Sequence, residues 1–389
     1  MTEIRSILPD DHARATLVGR VFDPQCGGPC LVHLRGDRLV DVTRAGPTLS
    51  ALLEHEDAAA RVAGVADTRG WSVDAVIETS LQSGADGVRL LAPCDLQVVK
   101  ACGVTFADSM IERVIEERIK GDAAQAAALR AQLGRAIGEA LSSVKPGSPE
   151  AARAKEVLIR EGLWSQYLEV GIGPDAEVFT KAPVLSCVGL GAEVGILRAS
   201  SWNNPEPEVV LAVASTGRIQ GATLGNDVNL RDIEGRSALL LGKAKDNNAS
   251  CAFGPFLRLF DAHFGIEDVR ALDLDLDVYG RDDNFHMTGH STMRRISRDP
   301  EALVAQVVGT HHQYPDGFML MLGTLFAPTQ DRGEPGSGFT HRLGDRVEIS
   351  SGPLGRLVNT VTHAETASPW SFGIASLMRN LAGRGLLTA

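Results

Sequence analysis

The sequence predicts an α+β fold, with a small N-terminal domain over 1–92 and a β-rich C-terminal domain over 93–389 that carries a helical insert at about 110–168. Three observations lead there. Residues 1 to about 90 alternate short apolar runs with turn residues. The 110–165 segment is rich in Ala, Glu, Arg and Leu. From about 170 onward, strand-like runs recur at short intervals, separated by Gly, Pro, Asn and Asp. A length of 389 residues leaves room for about two domains and a sizeable core.

Taken in order, Ala15–Val18, Pro29–His33 and Arg38–Val42 are the expected N-terminal strands. Gly84-Ala-Asp-Gly87 and Pro93 punctuate the exit from that region. Met110–Arg118 and Asp122–Leu133 are expected helices. Pro146-Gly-Ser-Pro149 breaks the run, and Ser148-Pro149-Glu150 has the form of a cap and first turn for another helix. Expected strands then follow at Glu208–Ala214, Ile219–Leu224, Val269–Tyr279, Gly317–Leu322, Arg346–Ser350 and Gly355–Thr362. Helical patterns return at Ala302–Gly309 and Phe372–Leu381. No repeat of solenoid period is present.

Composition removes several function classes. Lys and Arg total 38 against 49 Asp and Glu, a net charge of −11, which argues against nucleic acid because phosphate binding needs basic residues. No apolar run approaches about 20 residues, so no membrane span is expected. Met1–Arg14 does not read as a secretory signal, and the expected compartment is the cytoplasm. The six cysteines at 26, 30, 94, 102, 187 and 251 make no disulfide framework. Cys26 and Cys30 read as loop thiols. There is no phosphate-binding Gly-rich motif, so nucleotide cofactors have no support.

The densest polar segment within a strand-like region is Asn203-Asn-Pro-Glu-Pro-Glu208, followed by Val209-Val-Leu-Ala-Val213. Glu206 and Glu208 are two apart, so an extended chain puts both carboxylates on one face. Side by side they repel, and burial makes that worse. A hard divalent cation relieves both costs, and all-oxygen ligation suits Mg²⁺ or Ca²⁺. Spacing alone leaves two readings, a metal pair or a solvated strand end. Ser215-Thr-Gly-Arg218 is a plausible hairpin turn. It would return Asp227 beside Glu206 and Glu208, completing a three-carboxylate facial site. Asp232 and Glu234, a few residues on, read as caps of a turn or helix. Lys245 follows in Lys243-Ala-Lys-Asp-Asn-Asn248, where composition alone does not single it out.

These segments together resemble the fumarylacetoacetate hydrolase family. The resemblance is carried by Asn204-Pro-Glu-Pro-Glu208, Leu224–Glu234, Lys243–Pro255, Phe179-Thr-Lys-Ala-Pro183, Gly317–Thr324, Leu343–Val347 and Leu354–Asn359, in that family's order and spacing, over roughly 94–389. It implies a mixed β-sheet roll as the catalytic domain. It also implies a divalent ion, Mg²⁺ with Mn²⁺ or Ca²⁺ as substitutes, on Glu206, Glu208 and Asp227. The family's active-site lysine falls on Lys245, and its substrate-contacting Gly-Thr on Gly323 and Thr324.

One departure narrows the activity. Hydrolases of the family carry Gly-x-Asn-Tyr-x-x-His-x-x-Glu, where this chain has Gly103-Val-Thr-Phe-Ala-Asp-Ser-Met-Ile-Glu112. Ser109 stands at the His position and has no useful base strength near neutral pH. Cys102–Phe106, the helical insert and Gly162–Val170 are similar to a branch that dehydrates 2-keto-3-deoxy-pentonates. The implied reaction takes such a sugar acid to 2,5-dioxopentanoate in oxidative pentose breakdown. On that reading Lys245 meets the substrate carboxylate or enolate, Thr324, Gly323 and Ser109 contact substrate, and Glu112 works as acid/base. Glu116, one helical turn on, is the runner-up. His311 and His312 could reach substrate or simply lie at the surface. The competing readings are a C–C bond hydrolase of an acylpyruvate and a non-catalytic sugar-acid-binding protein. A homodimer or homotetramer is expected by analogy.

Overall fold

Apolar runs that alternate or persist in the sequence become the strands of three sheets. The computed structural model describes residues 4–82, 84–119, 144–160, 162–325, 328–334 and 338–387. The N-terminal region contributes β1 (Leu17–Asp23), β2 (Gly28–Arg35), β3 (Arg38–Asp41), β4 (Gly70–Ser72) and β5 (Arg89–Leu91). Next come β6 (Val98–Gly103), β7 (Glu177–Ala182) and β8 (Glu193–Ile196). The central group is β9 (Asn203–Asn204), β10 (Pro207–Val213), β11 (Ile219–Asp227), β12 (Asn229–Leu230) and β13 (Cys251–Leu259). The last are β14 (Asp273–Tyr279), β15 (His286–Thr292), β16 (Phe318–Met321), β17 (Arg346–Ser351) and β18 (Gly355–His363). The α+β expectation is met.

The large sheet runs β4-β3-β2-β1-β13-β11-β10-β16-β6-β7, with β5 also paired to β1. Its pairs are antiparallel except β16 with β6. A second sheet runs β15-β14-β17-β18-β8, and β9 pairs with β12. Because β1 pairs with β13, Leu17 opposite Arg258, the N-terminal strands extend the sheet that holds the central group. β10 is buried on both faces. Val209, Leu211 and Val213 enter one apolar cluster, and Val210 and Ala212 enter another. That explains its unbroken apolar run, since alternation marks only strands with one wet face.

The strand expected at Val269–Tyr279 is corrected. A short helix, Ile266–Arg270, occupies its first part, and β14 begins at Asp273. Asp268 accepts a hydrogen bond from the Gly265 N–H at 2.8 Å and starts the helix. Strand alternation begins only where Leu274, Leu276 and Val278 turn inward between aspartates. β13 was not expected. Gly254 and Pro255 read as punctuation, but the β11–β13 register shifts between Ala222 and Leu224, and the irregularity accommodates them.

Of the expected helical insert, the structure describes Ala107–Arg118, Pro149–Arg160 and Gln166–Ile172. Asp122–Leu133 lies outside the described residues. Ser148 caps the second helix, accepting from the Ala151 N–H at 3.1 Å. Met110, Val114 and Ile115 pack with Leu168, Ile172 and Trp202. That contact fixes the first helix over the segment leading into β10.

The same segment is stitched from its other side. Trp202 Nε1 donates to the Phe339 carbonyl at 3.1 Å, and the His341 N–H to the Asn203 carbonyl at 3.3 Å. Fully buried Asp345 holds this stretch through Arg332, at 2.6 Å, and His341 Nδ1, at 3.1 Å. Burial works against the Asp345 charge, but hydrogen bonds from His341 and Arg332 outweigh it and hold its pKa at about 2. A depressed carboxylate contributes stability above its unfolded value, and that contribution is lost as pH falls through the folded one. We therefore expect Asp345→Asn to cost about 1.5–3 kcal/mol at neutral pH, because it removes one of the two carboxylates that Arg332 pairs with and leaves Asp283. The gap to the parent protein should close between about pH 4 and pH 2 in denaturant titrations.

Candidate active site

The Ser215–Arg218 turn closes the β10–β11 hairpin, with the Ala214 N–H donating to the Arg218 carbonyl at 2.9 Å. At the opposite end, Pro207 lies opposite Asn226 and Glu208 opposite Gly225. The Asp227 N–H donates to the Glu206 carbonyl at 3.0 Å. Glu206, Glu208 and Asp227 thus converge at the hairpin mouth. All three are buried, and each offers a carboxylate oxygen within 4.8 Å of the others.

Basic side chains from three other elements meet them. Lys245 ends the short helix Leu241–Lys245, and its ammonium contacts Glu206 and, at 3.0 Å, Asp227. Lys181 of β7 reaches Asp227 at 2.7 Å. Arg113, on the helix Ala107–Arg118, bridges Glu206 at 2.5 Å and Glu234 at 2.8 Å. Its neighbour in the chain, Glu112, pairs with Arg231 at 2.9 Å. Glu208 differs from its neighbours: it accepts from the Gly323 N–H at 2.7 Å. Gly323 sits at φ +98°, and a Cβ there would come within 2.1 Å of Thr105 Oγ1, so the approach requires glycine.

The protonation states follow. Burial, then Asp227 and Glu206, push the Glu208 pKa well above the usual carboxylate range. Burial opposes the Asp227 charge, yet Lys181 and Lys245 hold its pKa down. Burial also opposes the Lys245 charge, but Asp227 and Glu206 raise its pKa, so it stays a cation. Glu177, the first residue of β7, is raised chiefly by burial. Its carboxyl fits because Gly103 has no side chain: a Cβ there would lie 1.9 Å from Glu177 Oε2. Six carboxyl groups (Glu112, Glu177, Glu206, Glu208, Asp227 and Glu234) face four cations (Arg113, Lys181, Arg231 and Lys245). Among these described groups the deficit is two charges if Glu177 and Glu208 are both ionised, which one divalent ion would supply; without an ion, burial favours the protonated form of both. An all-oxygen donor set with one unneutralised carboxylate suits a hard ion such as Mg²⁺.

The pocket wall includes Ser109, Glu177, Phe179, Glu206, Glu208 and Thr324, together with Asp227, Glu234 and Lys245. Of the residues singled out from sequence, the structure therefore gathers the three acids, Lys245, Ser109 and Thr324, with Gly323 behind Glu208. Glu112 is held by Arg231, and the Glu116 side chain lies outside the described residues. Ser109 Oγ donates to the Phe106 carbonyl at 2.8 Å. His311 and His312 are exposed after the helix Pro300–Val307 and are not part of the pocket wall. Glu234, read as a cap, is a buried ion-pair partner, whereas Asp232 does cap a turn, accepting from the Ser201 N–H at 2.9 Å. Arg113, Lys181 and Glu177 were missed. Only Phe179-Thr-Lys-Ala-Pro183 carried a signal for Lys181.

Residues 179–362 match the "Fumarylacetoacetate (FAA) hydrolase C-terminal" family. The chain is 31% identical over 185 residues to a 2-dehydro-3-deoxy-D-arabinonate dehydratase of Saccharolobus solfataricus, covering 48% of this chain and 58% of that one. It is 30% identical over 213 residues to a "Probable 2-keto-3-deoxyxylonate dehydratase" of Haloferax volcanii, covering 55% and 68%. Matching thus spans a little over half of the first relative and about two thirds of the second. The fold is shared with 2-keto-3-deoxy-D-arabinonate dehydratase complexed with magnesium and 2,5-dioxopentanoate, at TM-score 0.61 and 21% identity over 89% of this chain and 99% of that one. The chain belongs to the fumarylacetoacetate hydrolase family.

Two substitutions separate metal binding from folding. Glu208→Gln removes a like charge but keeps the shape, so we expect metal-free stability to change by no more than about 1 kcal/mol. Stabilisation by Mg²⁺ at a hundredfold excess over Kd, about 2.7 kcal/mol in the parent, should disappear in thermal melts. Glu206→Gln takes one carboxylate partner from each of Arg113 and Lys245, which keep Glu234 and Asp227, and it should lower metal-free stability by about 1.5–3 kcal/mol as well.

Proposed function

We propose that the protein is a Mg²⁺-dependent hydro-lyase that converts 2-keto-3-deoxy-D-pentonate to 2,5-dioxopentanoate and water, working in the cytoplasm as a homodimer or homotetramer. The observation that carries this is the buried Glu206, Glu208 and Asp227 set with the Lys245 ammonium against two of them. The dehydratase relatives supply the substrate class.

Glu206, Glu208 and Asp227 would hold the ion. When bound, it would polarise the C2 carbonyl of a 2-keto acid and acidify the C3 protons. Lys245, its charge favoured by Asp227 and Glu206, offers positive charge to the substrate carboxylate or to charge developing on O2. Gly323 and Thr324 orient the carboxylate. We assign acid/base work to Glu177, in preference to Glu112, because Glu177 faces the pocket with a raised pKa and Glu112 is tied to Arg231. As carboxylate, Glu177 removes a C3 proton; as acid, it returns that proton to the C4 hydroxyl, which leaves as water. Tautomerisation of the resulting enone alcohol gives the aldehyde. Ser109, tied to the Phe106 carbonyl, supplies no base for activating water, which disfavours C–C bond hydrolysis.

With Mg²⁺ and 2-keto-3-deoxy-D-pentonate, the protein should release an aldehyde that a coupled semialdehyde dehydrogenase oxidises to α-ketoglutarate. No product from metal-replete protein would reject this substrate class. Glu177→Gln should lower kcat by about 10²–10⁴ while keeping Mg²⁺-induced stabilisation. A base must be ionised, so the parent rate should fall on the acid side as Glu177 takes up its proton, at a pH above the ordinary carboxylate range. If Glu112→Gln rather than Glu177→Gln removes that limb, the assignment reverses.

A further inference from the structure

Far along the chain from the catalytic residues, the turn between β1 and β2 gathers a second donor set. Asp23 ends β1, Cys26 lies in the turn and Cys30 stands in β2. Each offers a ligand atom within 4.8 Å of the others. Cys26 is half-buried and so within reach of solvent, while Asp23 and Cys30 are buried. We propose that Asp23, Cys26 and Cys30 form a binding site for a thiophilic divalent cation of the Zn²⁺ type.

Geometry favours this. Two thiolates about 2.3 Å from a tetrahedral ion lie about 3.8 Å apart. The Cys26 and Cys30 sulfurs are 3.6 Å apart, so little rearrangement is needed. The x₃ spacing between the cysteines falls in the range of zinc-binding pairs. Charge agrees as well. With both thiols ionised, Cys26, Cys30, Asp23 and Asp41 carry four negative charges, against two on Arg69 and Arg384. One divalent ion closes that gap. As each metal–sulfur bond forms, the thiol releases its proton to solvent, two protons per ion.

Outer contacts are already in place. Arg384 Nη2 donates to Cys30 Sγ at 3.2 Å, and the Gln25 N–H donates to Asp23 at 3.0 Å. Such contacts orient metal ligands and steady their charge. Arg384 and Asn380 also hold the Pro29 and Cys26 carbonyls, each at 2.7 Å. Metal at this turn would therefore pin the C-terminal helix Ile374–Gly383 to β2.

Co²⁺ reports the site, because thiolate ligation gives near-ultraviolet charge-transfer absorption that carboxylates do not. Reduced full-length protein saturated with Mg²⁺ should develop that band with one equivalent of Co²⁺ and lose it when Zn²⁺ is added. Cys26→Ser and Cys30→Ser should each abolish the band, and Glu206→Gln should leave it intact. Cys26 lies in a turn, so its variant remains informative if the Cys30 variant misfolds. No band in the parent, or a band that persists in Cys26→Ser, would overturn the proposal. The result is independent of the catalytic reading.

Discussion

Three carboxylates at one end of a β-hairpin cannot share a buried space unless something supplies positive charge. Much of the structure around that hairpin answers this constraint. Lys245, Lys181 and Arg113 arrive from three separate elements and neutralise Glu206 and Asp227. Glu208 accepts the Gly323 N–H, and burial with Asp227 and Glu206 beside it pushes its pKa up. A buried charge without a partner is among the most expensive features a fold can keep. Its retention here is intelligible as ground prepared for a cation.

The same constraint accounts for details that look incidental. Gly323 is a glycine because the backbone must come close to Glu208 at a positive φ, and Gly103 because the Glu177 carboxyl fills the space a side chain would take. Arg113 serves two acids at once. The helix carrying it is anchored by Met110, Val114 and Ile115, so packing of the helical segment sets the electrostatics of the pocket. On the other flank, the Asp345 cluster fixes the strand entry at Trp202 and Asn203. The supports of the site are themselves buried and paired.

Lys245 has two compatible roles. Without an ion, its ammonium lies between Glu206 and Asp227 and screens them. On the proposed reading, a bound ion would satisfy those carboxylates, and the same charge would then be available to a bound anion. A lysine held this strongly protonated suits the stabilisation of negative charge on an oxo acid, not proton abstraction. On the proposed reading proton transfer would fall to a carboxyl with a raised pKa, and Glu177 is such a group on the pocket wall.

The sequence by itself determined the α+β class, the β10–β11 hairpin and the convergence of Glu206, Glu208 and Asp227. Each of these depends on local periodicity or on a short turn, which neighbouring residues encode. It did not determine β13, whose Gly254 and Pro255 look like a break until a register shift in its partner accommodates them. Nor could it reveal Glu177 or Arg113, because a lone carboxylate or arginine carries no pattern. Their importance comes from burial beside groups distant in the chain: Arg113 pairs with Glu206, 93 residues on, and Glu177 is buried near Arg113 and Lys245. Glu112 shows the converse. Helical position and family likeness marked it for acid/base work, but tertiary packing set Arg231 against it. Which carboxyl is neutralised and which faces the pocket is decided by long-range charge and desolvation, and those exist only once the chain is folded.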